Sequence, residues 1–74
     1  MSKIKVVLDT QSDVSDFVGI ATSISEPVYL EDGTGFRVNA KSLMGVMYGT
    51  SEFNTLYVIS EKDAIASKLI KFLN

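Results

Sequence analysis

The stretch Arg37-Val38-Asn39-Ala40-Lys41-Ser42-Leu43-Met44-Gly45-Val46-Met47 changes character at its middle, and that change organises the chain on either side. Its opening residues, with Phe36, read as the second arm of a hairpin. From Ser42 to Tyr48 the spacing predicts a short helix, with Ser42 as N-cap and Gly49 as its end. Leu43 and Met47 fall on one side of that helix, Met44 and Tyr48 on another. So many apolar residues on one and a half turns cannot all reach a core. Burial of Leu43 with one methionine is one reading. Exposure of a methionine as an adaptable contact is the other, since the flexible thioether suits a partner surface.

Working outward toward the N-terminus, Val28-Tyr29-Leu30 pairs with Phe36-Arg37-Val38 across Asp32-Gly33-Thr34-Gly35, whose Asp-Gly and second Gly are hairpin chemistry. Pro27 ends a preceding helix. That helix has Ser12 or Asp13 as N-cap and a stripe of Val14, Phe17, Val18, Ala21 and Ile24 at helical spacing. Before it, Lys3 to Leu8 alternates, with Ile4, Val6 and Leu8 on one face and Lys3 and Lys5 on the other, the period of a half-buried strand. Beyond the central stretch, Thr55 to Ser60 is a fourth strand. Ser60-Glu61-Lys62-Asp63 then opens a last helix with Ile65, Ala66, Leu69, Phe72 and Leu73 as its buried stripe. The order is β-α-β-β-α-β-α, one domain over residues 1–74 without repeat or linker.

The chain has no cysteine and no histidine, which removes a disulfide framework, a thiolate nucleophile and the usual acid-base residue. No cofactor and no metal site is expected from its spacing. Seven basic and nine acidic residues are interspersed without a basic run, so nucleic acid is not an expected partner. An early Asp9 interrupts any signal-peptide apolar region, and no run approaches the roughly 20 residues of a membrane span, so a cytoplasmic protein is expected.

The segment Val38-Asn39-Ala40-Lys41-Ser42-Leu43-Met44-Gly45-Val46-Met47 resembles the one that carries the regulatory serine in HPr, the histidine-containing phosphocarrier family of the bacterial phosphoenolpyruvate:sugar phosphotransferase system. The order of elements is similar over almost the whole chain. The resemblance implies an α+β open-faced sandwich, with an antiparallel four-stranded sheet in the order 1-4-2-3 and helices on one face. Alternation then points Ile4, Val6, Leu8, Val28, Leu30, Val38, Tyr57 and Ile59 toward the helices.

Family members carry a Gly-Leu/Ile-His-Ala-Arg-Pro loop after the first strand. Gln11, Ser12, Asp13, Ser15 and Asp16 lie over that loop here, with Asp13 at the histidine, Ser15 at the arginine and Asp16 at the proline. Nucleophile and anion-stabilising cation are both absent, and Asp9, Asp13 and Asp16 would repel an arriving phosphate. Asp13 admits three readings: a cap or first-turn acid favoured by the helix dipole, a fixed carboxylate imitating phosphohistidine, or an acyl-phosphate acceptor.

Ser42 differs, because Asn39, Lys41, Ser42, Met44, Gly45 and Met47 stand in the family's pattern. In Gram-positive relatives this serine is phosphorylated by an ATP-dependent kinase, and the product engages a transcriptional regulator or alters handover to sugar permeases. A phosphate at a helix N-terminus gains amide donors and a favourable dipole, with Lys41 beside it. Plain capping is the other reading. The family's docking patch implies Lys41, Met44, Met47 and Tyr48 as partner contacts.

The sheet order also places Val7, Tyr29, Leu56 and Val58 together on the face without helices. Such a patch suggests a weak homodimer, against a tolerated apolar cluster or a slipped register. Two functional expectations result. One is a non-catalytic HPr-like regulatory or docking module with Ser42 as its switch and a serine kinase, regulator or permease component as partner. The other is a divergent assembly module that self-associates through its sheet.

Overall fold

The computed structural model describes residues 2–73 apart from Lys62 and Ala64. Strand β1 (Ser2–Val6) is followed by helix α1 (Gln11–Thr22), strands β2 (Val28–Glu31) and β3 (Arg37–Asn39), helix α2 (Leu43–Glu52), strand β4 (Leu56–Ser60), a short helix α3 (Ile65–Lys68) and a 3-10 turn over Ile70–Phe72. The four strands form one antiparallel sheet in the order β1-β4-β2-β3, the order that the resemblance implies.

The hairpin forms where Asp-Gly predicts it. Glu31 faces Arg37 and Leu30 faces Val38, and Asp32 donates its N–H to the Phe36 carbonyl at 3.1 Å. Gly33 (φ 94°) and Gly35 (φ 106°) supply the left-handed backbone that L side chains avoid. Asp32 closes the loop by accepting from both the Thr34 amide (2.8 Å) and its hydroxyl (2.7 Å).

The phase of β4 differs from expectation. Val58 lies opposite both Ile4 and Leu30, and Leu56 opposite Val6. Residues directly opposite across a ladder share a face. Leu56 and Val58 therefore join Val6, Val28 and Leu30 in the core, with Val58 fully buried, whereas Tyr57 and Ile59 take the opposite face. Leu-Tyr-Val-Ile is apolar in both phases, so alternation within the strand cannot choose between them. The neighbours decide. The expected homodimer patch of Val7, Tyr29, Leu56 and Val58 is thereby dissolved: two of its members are core, and Val7 lies beyond β1, half-buried, its amide donating to the Phe72 carbonyl at 2.7 Å.

The opposite face carries a polar lattice. Glu31, although only 4% exposed, accepts from Arg37 Nε at 2.9 Å and lies 3.4 Å from Lys3 Nζ. Lys3 stands over the Tyr57 ring and Arg37 over the Tyr29 ring. A buried carboxylate is tolerable when cations and hydrogen bonds meet it, and these do.

Both long helices begin or end differently from their sequence reading. Thr10, rather than Ser12 or Asp13, caps α1. Its hydroxyl accepts the Asp13 amide at 3.0 Å, while the Asp13 carboxylate accepts the amides of Thr10 (3.3 Å) and Asp9 (3.1 Å), a complete capping box. Val14, Phe17 and Ala21 are its buried stripe. Helix α2 runs through Gly49 to Glu52 instead of stopping there. A Cβ at Gly49 would stand 2.9 Å from Leu30 Cδ2 and 3.2 Å from the Phe53 ring, so this glycine serves close packing of α2 on the sheet.

The last helix breaks at Leu69. Ile65, Leu69 and Phe72 are buried as expected, but Ala66 is exposed and Leu73 half exposed. Leu73 bridges to Val6, so the chain turns to lie along the edge of β1. Lys62, expected in the opening of this helix, lies outside the described residues. Phe72 meets Phe17 edge-on at 6.1 Å, joining this segment to α1 within the single core cluster.

Candidate functional site

The residues aligned with a phosphocarrier loop do not form a loop. Gln11, Ser12, Asp13, Ser15 and Asp16 are the first turns of α1, drawn into helix by the Thr10 cap. The carboxylate of Asp13 is turned back onto the amides of Asp9 and Thr10, the cap and first-turn reading among the three. Asp16 is paired with Lys71 Nζ at 2.7 Å. Ser12 and Ser15 are exposed.

Ser42 caps α2, as its sequence predicts. Its Oγ accepts the Gly45 amide at 3.1 Å, and its carbonyl accepts the Val46 amide at 2.9 Å. The turn before it is built by Asn39, whose carbonyl takes the Ser42 amide (3.0 Å) and whose side-chain oxygen takes the Lys41 amide (2.9 Å). Lys41 does not reach toward Ser42. Its ammonium donates to the carbonyl of Ile24 just beyond α1, because that carbonyl, past the helix end, needs a donor. The expected phosphate neighbour is thus a tie between two connections of the fold.

Neither methionine of α2 enters the core. Met44 is 81% exposed and Met47 48%, with Leu43 and Tyr48 similarly open, while Val46 and Gly49 supply the buried side. The reading that buries Leu43 with one methionine is corrected: a helix only 10 residues long lying on the sheet buries one narrow stripe, and Gly49 brings that stripe so close that Val46 suffices. Tyr48 is held by rings. It lies 6.4 Å from Phe36 and 6.1 Å, edge-on, from Phe53, and Phe36 meets Phe53 edge-on at 5.8 Å. This trio links the hairpin to α2.

The start of α1 and the exposed side of α2 enclose one groove of about 460 Å³. Leu8, Val14, Leu43 and Met47 are its apolar lining; Asp9, Thr10, Gln11, Ser15, Thr50 and Ser51 supply the polar part. Of the loop and partner-contact residues expected from the sequence, Gln11, Ser15 and Met47 meet here, whereas Ser12, Asp13 and Asp16 do not line it. Met44, Tyr48, Lys41 and Ser42 do not line it. Thr50 and Ser51 escape the sequence reading because Gly49 looks like a helix end. The helical spacing of Leu43, Met47, Thr50 and Ser51, followed past that glycine, is the signal that finds them.

The groove thus presents hydroxyls, one carboxylate and a thioether. Among the described residues no three or more Asp or Glu side chains converge as a metal site, and no helix is long and apolar enough to cross a membrane. The carboxyl of Asp32 lies below the usual range because the Thr34 amide and hydroxyl donate to it. It belongs to the hairpin, away from the groove.

Comparison of the chain with protein-family models, with curated proteins and with solved structures gives no match.

Proposed function

We propose that this chain is a non-catalytic, HPr-like regulatory or docking module of the cytoplasmic sugar phosphotransferase machinery, with Ser42 as its phosphorylation site and no phosphotransfer through a histidine. One observation carries the reading: the start of α1 and the exposed side of α2 line a common groove, so a partner meeting one helix meets the other. The chain contains no histidine to carry the histidine step. The Ser42 hydroxyl accepts its cap hydrogen bond, so its own proton is not committed to that bond. A kinase would transfer the γ-phosphoryl group of ATP to Oγ, releasing ADP and a proton. The new phosphate would sit at the N-terminus of α2, where amides and dipole favour an anion.

Incubation with phosphoenolpyruvate and the general phosphotransferase enzyme should leave the mass unchanged. The bifunctional serine kinase with ATP should add one phosphate. Ser42→Asn keeps a capping acceptor and cannot be esterified, so it should fold and stay unmodified. Labelling by phosphoenolpyruvate, or an inert Ser42 in folded protein, would discard the proposal.

A further inference from the structure

We propose that the groove between α1 and α2 receives a positively charged amphipathic helix of a partner protein, inserting one large apolar side chain between Leu8, Val14, Leu43 and Met47 and placing a lysine or arginine against Asp9. The inference rests on the docking reading above and adds the chemistry of the partner. Its apolar part is built in: Leu8 and Val14 are at most 9% exposed and form a fixed floor, while Leu43 and Met47 stand about half exposed at its side. Met47 can adjust its rotamers to the shape of an entering side chain.

Charge selects the occupant. Asp9 is exposed and is the sole charged residue lining the groove among the described residues. The Asp13 carboxylate lies close behind it, bonded to the Asp9 amide, and the N-terminal turns of α1 also carry Asp16. Lys71 already pairs with Asp16, which leaves Asp9 and Asp13 as the acidic groups of this end. Lys5 and Asp9 both line the adjoining hollow. A second copy of this chain, acidic overall at net charge −2, would bring like charge to the same place. The polar walls, Thr10, Gln11, Ser15, Thr50 and Ser51, are short or neutral and leave room for long cationic side chains to lie across them.

The test uses the full chain, isotope-labelled for NMR, and two capped helical peptides with the same leucine stripe, one with lysines on its polar face and one with glutamates. The lysine peptide should shift the amides of Leu8, Asp9, Gln11, Val14, Met47 and Thr50, bind at least about tenfold more tightly than its glutamate counterpart, and weaken as salt rises. Asp9→Asn, at an exposed position, should cost about threefold to fivefold in affinity for the lysine peptide. Met47→Lys should abolish binding while the spectrum stays folded.

Equal affinity for the two peptides, shifts confined to the Tyr29–Arg37 face of the sheet, or no shifts would overturn the inference. So would groove amides that move with protein concentration alone, which would make a second copy the occupant. The peptides involve neither Ser42 nor a phosphotransferase enzyme. Binding with an inert Ser42 would uphold the groove's partner and discard the phosphotransferase assignment; a phosphorylated Ser42 with a silent groove would do the reverse.

Discussion

Ser42, Thr10 and Asp32 are three short polar residues whose side chains serve the backbone. Ser42 and Thr10 accept the amide three residues ahead at helix starts, and Asp32 accepts an amide two residues ahead in the hairpin. Asp32 yields a pH prediction. Hydrogen bonds from Thr34 favour its charged form, so its folded value lies below that of the unfolded chain. Its contribution to the loop is complete above the ordinary carboxylate range, near pH ~4, and is lost as pH falls through the depressed folded value. The Thr34 amide resonance should follow that same titration. A Thr34 resonance unchanged through the acid range, or an Asp32 titrating above the ordinary value, would contradict the hydrogen-bond assignment.

At the scale of the element, Gly19 and Gly49 have opposite meanings. Gly19 in α1 is exposed, and a Cβ added there would meet nothing within 4 Å, whereas Gly49 in α2 faces Leu30 and Phe53. Gly19→Ala should raise stability by up to about 1 kcal/mol through helix propensity alone. Gly49→Ala gains the same propensity but forces fully buried Leu30 aside, a repacking that costs about 1–3 kcal/mol, so it should lower stability. Urea denaturation of the two variants checks the signs, and a stabilised Gly49→Ala would mean that α2 has room to lift from the sheet. The same closeness leaves Leu43, Met44 and Met47 outside, which is how a packing constraint on one side of α2 leaves apolar side chains exposed on the other.

For the whole molecule, the C-terminal segment closes the core. Phe72 is 2% exposed and packs on Phe17, and Leu73 bridges Val6, while Lys71 pairs with Asp16 on the surface. A 74-residue domain has roughly 4–11 kcal/mol of stability at typical values per residue. Phe72→Ala should remove about 3–5 kcal/mol of it and leave the fold marginal at the lower end of that range. Lys71→Ala, which loses an exposed pair, should cost no more than about 1 kcal/mol. Thermal unfolding followed by circular dichroism separates them. Equal, small losses would show that the segment is an appendage to the core.

How much of the fold and the site is legible in the chain depends on whether a local signal exists. The hairpin, the strand order and the Ser42 cap can be read, the order through resemblance and the others because Asp-Gly and an N-cap serine act within a few residues. The α1 cap falls two or three residues earlier than its reading, since Thr10, Ser12 and Asp13 are all capping residues in sequence. The site is legible in part: Gln11, Ser15 and Met47 line the groove, whereas Lys41 is spent elsewhere and Thr50 and Ser51 lie beyond the apparent helix end at Gly49. The sequence by itself determined the elements, the absence of a histidine and the apolar surplus of α2, because composition and short-range spacing suffice for these. Only the tertiary structure decided the phase of Leu56-Tyr57-Val58-Ile59, the role of Gly49 and the meeting of α1 with α2 in one groove. Each depends on what stands opposite in space, and an apolar run or a glycine looks the same in sequence whichever neighbour it meets.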